Sequence, residues 1–223
     1  MKYKTDIVST SLGDLAITFI GHGSLMFQFN NMIIHLDPVS EMGDYSELPK
    51  ADVILITHEH FDHFHPDTIK MLSKEDTIIV SDKACASKFP NCLSMDNNES
   101  RTIKGLEIKA VPAYNIKHMR EPGSPFHPKG VGNGYIVTFS DKNVYVAGDT
   151  ENIPEMKQIS GIDIAFLPMN LPFTMTPEMA AEAALSFKPR ILYPYHFGDT
   201  DTNRLIELLE DTPEIEVRIR ELS

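Results

Sequence analysis

Four histidines, His58, His60, His63 and His65, fall within eight residues of the run VILITHEHFDHFHP, with Glu59 and Asp62 between them. Imidazoles and a carboxylate at such spacing suit a divalent metal, with zinc favoured and iron, manganese or nickel as other options. The run opens with Val53 to Ile56, apolar at every position, as in a strand covered on both faces. Such a strand, ending at Thr57, would deliver His58, His60, Asp62 and His63 into a tight loop at a sheet edge. The helix-borne HExxH zinc signature is excluded, because residue 62 is aspartate where that motif needs histidine. The competing reading is a solvated loop of idle histidines, which such density after a buried strand makes improbable.

One loop cannot complete two coordination spheres, so further ligands are expected at other strand ends. NVYVAGDT alternates apolar residues and ends in Gly148-Asp149-Thr150, where glycine permits a sharp turn beneath a carboxylate. RILYPYHFGDT ends in His196 two residues before Gly198. Taken singly, either residue is as well explained by capping or local hydrogen bonding.

The elements that must carry these residues are legible in outline. LAITFIGH, SLMFQF and MIIHLDP form an opening meander, with Asn30-Asn31 as a turn suited to positive φ. Further strands are predicted at TIIVS, LEIKAVPAY, GYIVTFS, IDIAFLPM and a terminal EIEVRIREL. Helices are predicted at HPDTIKMLSK with Asp67 as N-cap, at TPEMAAEAALSFK with Thr176 as N-cap, and at TNRLIELLED. Between Asn115 and Gly134 runs a loop with three prolines and four glycines, long enough to be a lid or binding loop. Strands first, then strands alternating with helices, point to two packed sheets with helices outside.

Strand-THEHFDHF, strand-AGDT and strand-PYHFG, in that order, resemble the metallo-β-lactamase fold superfamily. They are similar in particular to its small bacterial metal-dependent hydrolases, the group of L-ascorbate-6-phosphate lactonase. GHGS at Gly21 to Ser24, the strand ending LDP, and LPFTMTPEMAAEAA also look like that group's segments. The resemblance implies an α/β fold, a four-layer αβ/βα sandwich spanning residues 1–223 as one domain, with metals at one edge. It implies His58 and His60 on a first metal, Asp62, His63 and His196 on a second, and Asp149 bridging them. It also exposes a departure, because the third histidine of the first metal should follow AVPAY, where this chain has Tyr114 and Asn115. Either the first ion has fewer protein ligands, or His118, His127 or His22 substitutes, or only one ion binds tightly. For His127 a mobile surface histidine is the somewhat weightier reading; His22 is expected as a substrate or outer contact, and His35 and His65 as structural.

The implied chemistry is hydrolysis of a small ester, lactone or phosphoester. Two ions about 3.5 to 4 Å apart would share a hydroxide and polarise the substrate's oxygen. Asp149 would hold both ions and Asp62 would orient the nucleophile. Tyr114, if it faces the metals, would donate to the developing oxyanion, although a tyrosine packed in the sheet fits equally well. The alternatives are a phosphodiesterase or nuclease of the same fold, an iron redox enzyme, and an impaired metal-binding protein. GVGNGY lacks the third glycine of a dinucleotide fingerprint, and GHGS lacks the spacing of a serine elbow.

The formal charge of -12 over 223 residues disfavours nucleic acid and anionic membranes as partners and leaves a small-molecule substrate. A homo-oligomer stays open. The polar N-terminus and the strand-length apolar runs give no leader or membrane span. Cys85 and Cys92, the only cysteines, read as reduced thiols of a cytoplasmic protein.

Overall fold

A computed structural model of the chain describes residues 3–89 and 92–222. The first sheet has seven strands in sequence order: β1 (Thr5–Thr10), β2 (Gly13–Gly21), β3 (Ser24–Phe29), β4 (Met32–Leu36), β5 (Val53–Leu55), β6 (Ile78–Ser81) and β7 (Cys92–Ser94). Strands β1 to β4 form an antiparallel meander, and β4 to β7 are parallel. The second sheet repeats this plan. It holds β8 (Ser100–Ile103), β9 (Leu106–Ala113), β12 (Gly132–Phe139), β13 (Lys142–Val146), β14 (Ile164–Pro168), β15 (Ile191–Tyr195) and β16 (Glu216–Val217) in the order β16-β15-β14-β13-β12-β9-β8. Its β8 to β13 side is antiparallel and its β13 to β16 side parallel. A small hairpin of β10 (Met119–Glu121) and β11 (Ser124–Pro125) belongs to neither sheet.

Period-two side-chain alternation builds the layers. Val53 and Leu55 point into a core shared with Phe166, Tyr135 and Tyr193 of the second sheet. Ile54 and Ile56 point the other way, against α1 (Pro66–Leu72) and α2 (Lys83–Lys88), where they meet Ile69, Leu72 and Cys85. In the second sheet Ile164 and Phe166 face the central core, while Ala165 and Leu167 face α3 (Pro177–Phe187) and α4 (Asn203–Leu208). The result is the expected four-layer αβ/βα sandwich. Both faces of each central strand are buried, which explains the unbroken apolar runs.

Several local expectations hold and several are corrected. Asn30 and Asn31 both take positive φ, 47° and 64°, in the β3–β4 turn. Thr176 caps α3 by accepting from the Met179 N–H, and Lys188 ends it in the left-handed conformation before Pro189. Helix α1 is capped by His65, not Asp67: the His65 side chain accepts from the Thr68 N–H and Pro66 takes the first helical position. The terminal strand is only Glu216–Val217; the Arg218 N–H still bonds the Leu192 carbonyl beyond it, and the Arg218 and Arg220 side chains turn to Tyr193 and Asp6. Strand β1 and helix α2 were not anticipated. The first is a polar edge strand and the second is six residues long, so neither leaves a strong periodic signal. Cys85 is buried and Cys92 partly so, and both are free thiols. No helix among the described residues is long and apolar enough to cross a membrane.

Candidate metal centre

The carboxyl ends of the parallel strands all open on one lip of the sandwich, where open α/β sheets bind ligands. Asp37 follows β4, His58 to His63 follow β5, Asp149 follows β13 and His196 follows β15. His22 joins them from the β2–β3 turn and His127 from the loop after β11. Three of these residues sit in the left-handed region without being glycine: His22 (φ 52°), Asp37 (φ 42°) and His196 (φ 48°). Such strain persists where the surroundings fix it, and it clusters at functional sites. Two glycines make room. Gly148, at φ 67°, turns the chain ahead of Asp149, and a Cβ on Gly23 would stand 2.8 Å from the His63 ring.

The side chains form two lobes around one carboxylate. In the first, His60 Nδ1 lies 3.0 Å from His58 Nε2 and 3.1 Å from His127 Nε2. In the second, His22, Asp62, His63 and His196 each offer a ligand atom within 4.8 Å of the others. Asp149 sits between them. Its Oδ2 is 3.3 Å from both His127 Nε2 and His196 Nε2 and 3.9 Å from His58 Nε2, and its Oδ1 is 3.3 Å from His63 Nε2. A tetrahedral ion with ligands at about 2.0 to 2.2 Å separates its donor atoms by roughly 3.3 to 3.6 Å. The spacing therefore fits divalent ions, and so does the chemistry of the donors. His63 Nε2, Asp149 Oδ1 and both ring nitrogens of His196 are buried without a hydrogen-bond partner, a state that costs free energy unless something else binds them.

Three of the histidines are tied back through Nδ1, which fixes their tautomer and turns Nε2 inward. His63 Nδ1 donates to Asp37 Oδ2 at 2.7 Å, His127 Nδ1 to Asn115 Oδ1 at 2.7 Å, and His58 Nδ1 to Thr57 Oγ1 at 3.0 Å. Asp37 is itself held by the Thr57 N–H at 2.7 Å and the Thr57 hydroxyl at 2.6 Å. Burial lowers the basicity of His58, His60 and His127, the last to about 4, so these rings are neutral lone-pair donors at pH 7. Burial would do the same to His63, but Asp149 and Asp37 outweigh it and push His63 up. Burial opposes ionisation of Asp149, yet His196 and His63 hold it well below the usual carboxylate range. The pocket thus favours positive charge at its centre, as a cation site must.

The structure brings together His58, His60, Asp62, His63, Asp149 and His196, the whole set implied by the resemblance. It also bears on the departure. His127, read above as more plausibly a mobile surface residue, is buried and completes the first lobe. Asn115, where the resemblance implies a histidine, holds His127 in place, accepting from both its backbone N–H and its Nδ1–H. Glu151 anchors that loop: its carboxylate accepts from the backbone N–H groups of Ile116, Lys117 and His118. His118, offered above as a replacement, lies apart from both lobes, with its Nδ1 2.7 Å from Glu151 Oε1. His22 is in the second lobe, 3.2 Å from Asp62 Oδ2, and so does not complete the first.

Tyr114 is corrected too. Its hydroxyl donates to Glu155 at 2.8 Å and accepts from Lys129 at 3.2 Å, so it is not an oxyanion donor in this arrangement. Its backbone follows the sheet, and the side chain packs in the outer core layer with Ile153 and Met156. His35 and His65 are structural as expected: His35 is buried against the Pro49 carbonyl and His65 caps α1. Sequence reasoning missed Asp37 and Glu151. The strand-terminal LDP was the one signal for Asp37, and nothing in the sequence marks Glu151.

Comparison with known proteins agrees with this geometry. Residues 16–196 match the β-lactamase superfamily domain. The chain is 31% identical to a UPF0173 metal-dependent hydrolase of Nanoarchaeum equitans, over 82% of this chain and 84% of that protein. It is 29% identical to one from Geobacillus, over 88% and 94%. Among solved structures, a Parabacteroides distasonis protein provisionally described as a metal-dependent hydrolase superposes with a TM-score of 0.95 at 49% identity, covering 99% of this chain and 100% of that one. The metallo-hydrolase Igni18 of Ignicoccus hospitalis superposes with a TM-score of 0.78 at 24% identity, covering 94% and 96%, which bears on the fold alone. With two sheets, a shared lip of histidines and carboxylates, and these likenesses, the chain belongs to the β-lactamase superfamily, as an enzyme of its metal-dependent hydrolase group.

Proposed function

We propose that the chain hydrolyses a small ester, lactone or phosphoester with two divalent ions, zinc foremost, held in the two lobes. The observation that carries this reading is Asp149, buried between two sets of imidazoles and close to four of them. His58, His60 and His127 would hold the first ion, and Asp62, His63 and His196 the second. When bound, the ions supply Lewis acidity toward a carbonyl or phosphoryl oxygen and acidify water.

The chain's own residues do the rest. Asp37, Thr57 and Asn115 keep the imidazoles in their donor tautomers. Asp62, the most exposed carboxylate of the centre, is held anionic: burial opposes this, but His196 and His22 prevail. It is placed to orient an attacking water, with His22 Nε2 3.2 Å away to hold its carboxylate in position. A cavity of about 450 Å³ opens beside His58, His60, His127 and Asp149, the size of a small-molecule site.

The test is a panel of aryl esters, lactones, phosphomonoesters and phosphodiesters, assayed after chelation and again after reloading with zinc or manganese. The expected result is turnover of at least one class that chelation abolishes and metal restores. Turnover indifferent to the chelator would refute the reading. Preferential cleavage of single-stranded nucleic acid would replace it with a nuclease.

A further inference from the structure

The hairpin β10–β11 carries Arg120 to the rim of the cavity beside the first lobe, where it is the only lysine or arginine among the lining residues. Its guanidinium lies over the Phe126 ring, 5.6 Å from the centroid, and Phe126 meets Phe173 edge to face at 5.1 Å. Stacking of this kind orients a guanidinium without using its N–H donors. Among the described residues Arg120 has no carboxylate partner. Neighbouring cations do: Lys88 pairs with Glu59, and Lys129 with Glu155. An oriented, exposed cation at the mouth of a cavity, on a chain of net charge -12, is positioned to meet an anionic group that enters there.

We propose that Arg120 is a specificity-determining residue that receives a carboxylate or phosphate group carried by the substrate away from the bond that is cleaved. The inference rests on the hydrolase reading above and narrows it to anionic substrates. The metal lobes take the reacting group, and the planar fork of Arg120 takes two oxygens of the remote one. Phe126 and the rim residues Pro125, Pro128 and Val131 line the apolar stretch between.

The experiment compares the metal-loaded chain with its Arg120→Ala and Arg120→Lys variants on three aryl esters of equal length. One ends in a methyl group, one in a carboxylate and one in a phosphonate. The wild type is expected to favour an anionic ester by about tenfold or more in kcat/KM, and Arg120→Ala to erase that preference mainly through KM. Turnover of the neutral ester should stay within about twofold, and Arg120→Lys should recover part of the loss. The better of the two anionic esters identifies the head group.

A second readout is independent of turnover. NMR titration of the chelator-treated chain with succinate and with methylphosphonate should show binding of at least one anion, weakened about tenfold in Arg120→Ala. Equal use of neutral and anionic esters by the wild type, or equal losses on both in Arg120→Ala, overturns the role of Arg120 and leaves the hydrolase reading intact. If none of the three esters is turned over, the wider panel decides the hydrolase reading and the titration decides the role of Arg120. Anion affinity unchanged by Arg120→Ala then overturns the inference.

Discussion

The two lobes of the histidine centre are built by different means. In the second lobe His63 comes from the loop after β5 and His196 stands at the end of β15, where it is fixed by a left-handed backbone and an N–H bond to the His22 carbonyl. Its key imidazole is backed by Asp37, itself at a strand end. The first lobe takes His58 and His60 from the same loop, but its third member, His127, arrives from the irregular stretch after β11. That residue is held by Asn115 and, behind it, by Glu151 from the segment after β13. One lobe is thus part of the sandwich and the other is completed by a strap across it. The difference teaches that a cluster of imidazoles can be completed from an irregular segment when a buried amide such as Asn115 fixes the ring.

Substitutions can break or sharpen this comparison. The largest effect is expected from Asp149→Ala, which removes the group common to both lobes. Bound metal should drop below one ion per chain, and kcat/KM should fall by roughly 1,000-fold or more, about 4 kcal/mol of transition-state stabilisation. His127→Ala should lower metal content from two ions to one and reduce turnover on the order of 100-fold, because the second lobe survives without the strap. Elemental analysis alongside the assay separates this from general unfolding.

Weaker, and opposite in address, are the changes behind the ligands. Asn115→Ala should weaken the first ion alone by about 10- to 100-fold, and Asp37→Asn the second alone by a similar factor. Competitive chelator titrations report each. Loss of both ions from Asn115→Ala would contradict the independence of the lobes.

A histidine outside both lobes acts on stability alone, not on metal or turnover. Burial holds His35 down to about 4, below its ordinary 6.5, so it is neutral in the fold, while the unfolded chain takes up its proton first. Its contribution is therefore complete above pH 6.5 and is lost as pH falls toward 4, by roughly 3 kcal/mol in all. Urea unfolding of the metal-loaded chain at several pH values should show that slope, and His35→Gln should flatten it.

The same contrast explains how far the sequence could be read. Apolar runs such as VILIT, VYVA and ILYPY report strands covered on both faces, and those strands lead into His58, Asp149 and His196, so residues at strand ends were legible. His127 was not, because a histidine between Phe126 and Pro128 in a loop has no periodicity to say which way it points. Asn115 looked like a lost ligand, since its role exists only through a contact twelve residues away. Tyr114 failed for a related reason: it lies next to the site in sequence, but its side chain goes to the outer layer with Glu155. Glu151 was invisible because its partners are backbone N–H groups, which any sequence possesses. The N-cap of α1 turned on whether Pro66 or Asp67 opened the helix, a one-residue question that only the folded cap decides.

The central claim is that two divalent ions bind on either side of Asp149, one within each lobe. Its most direct test is elemental analysis of the purified chain, combined with anomalous diffraction at the absorption edge of the metal found. The account predicts two peaks about 3.5 to 4 Å apart, one ringed by His58, His60 and His127 and the other by Asp62, His63 and His196. A chain that takes up less than one ion, or a peak ringed by other residues, would contradict it.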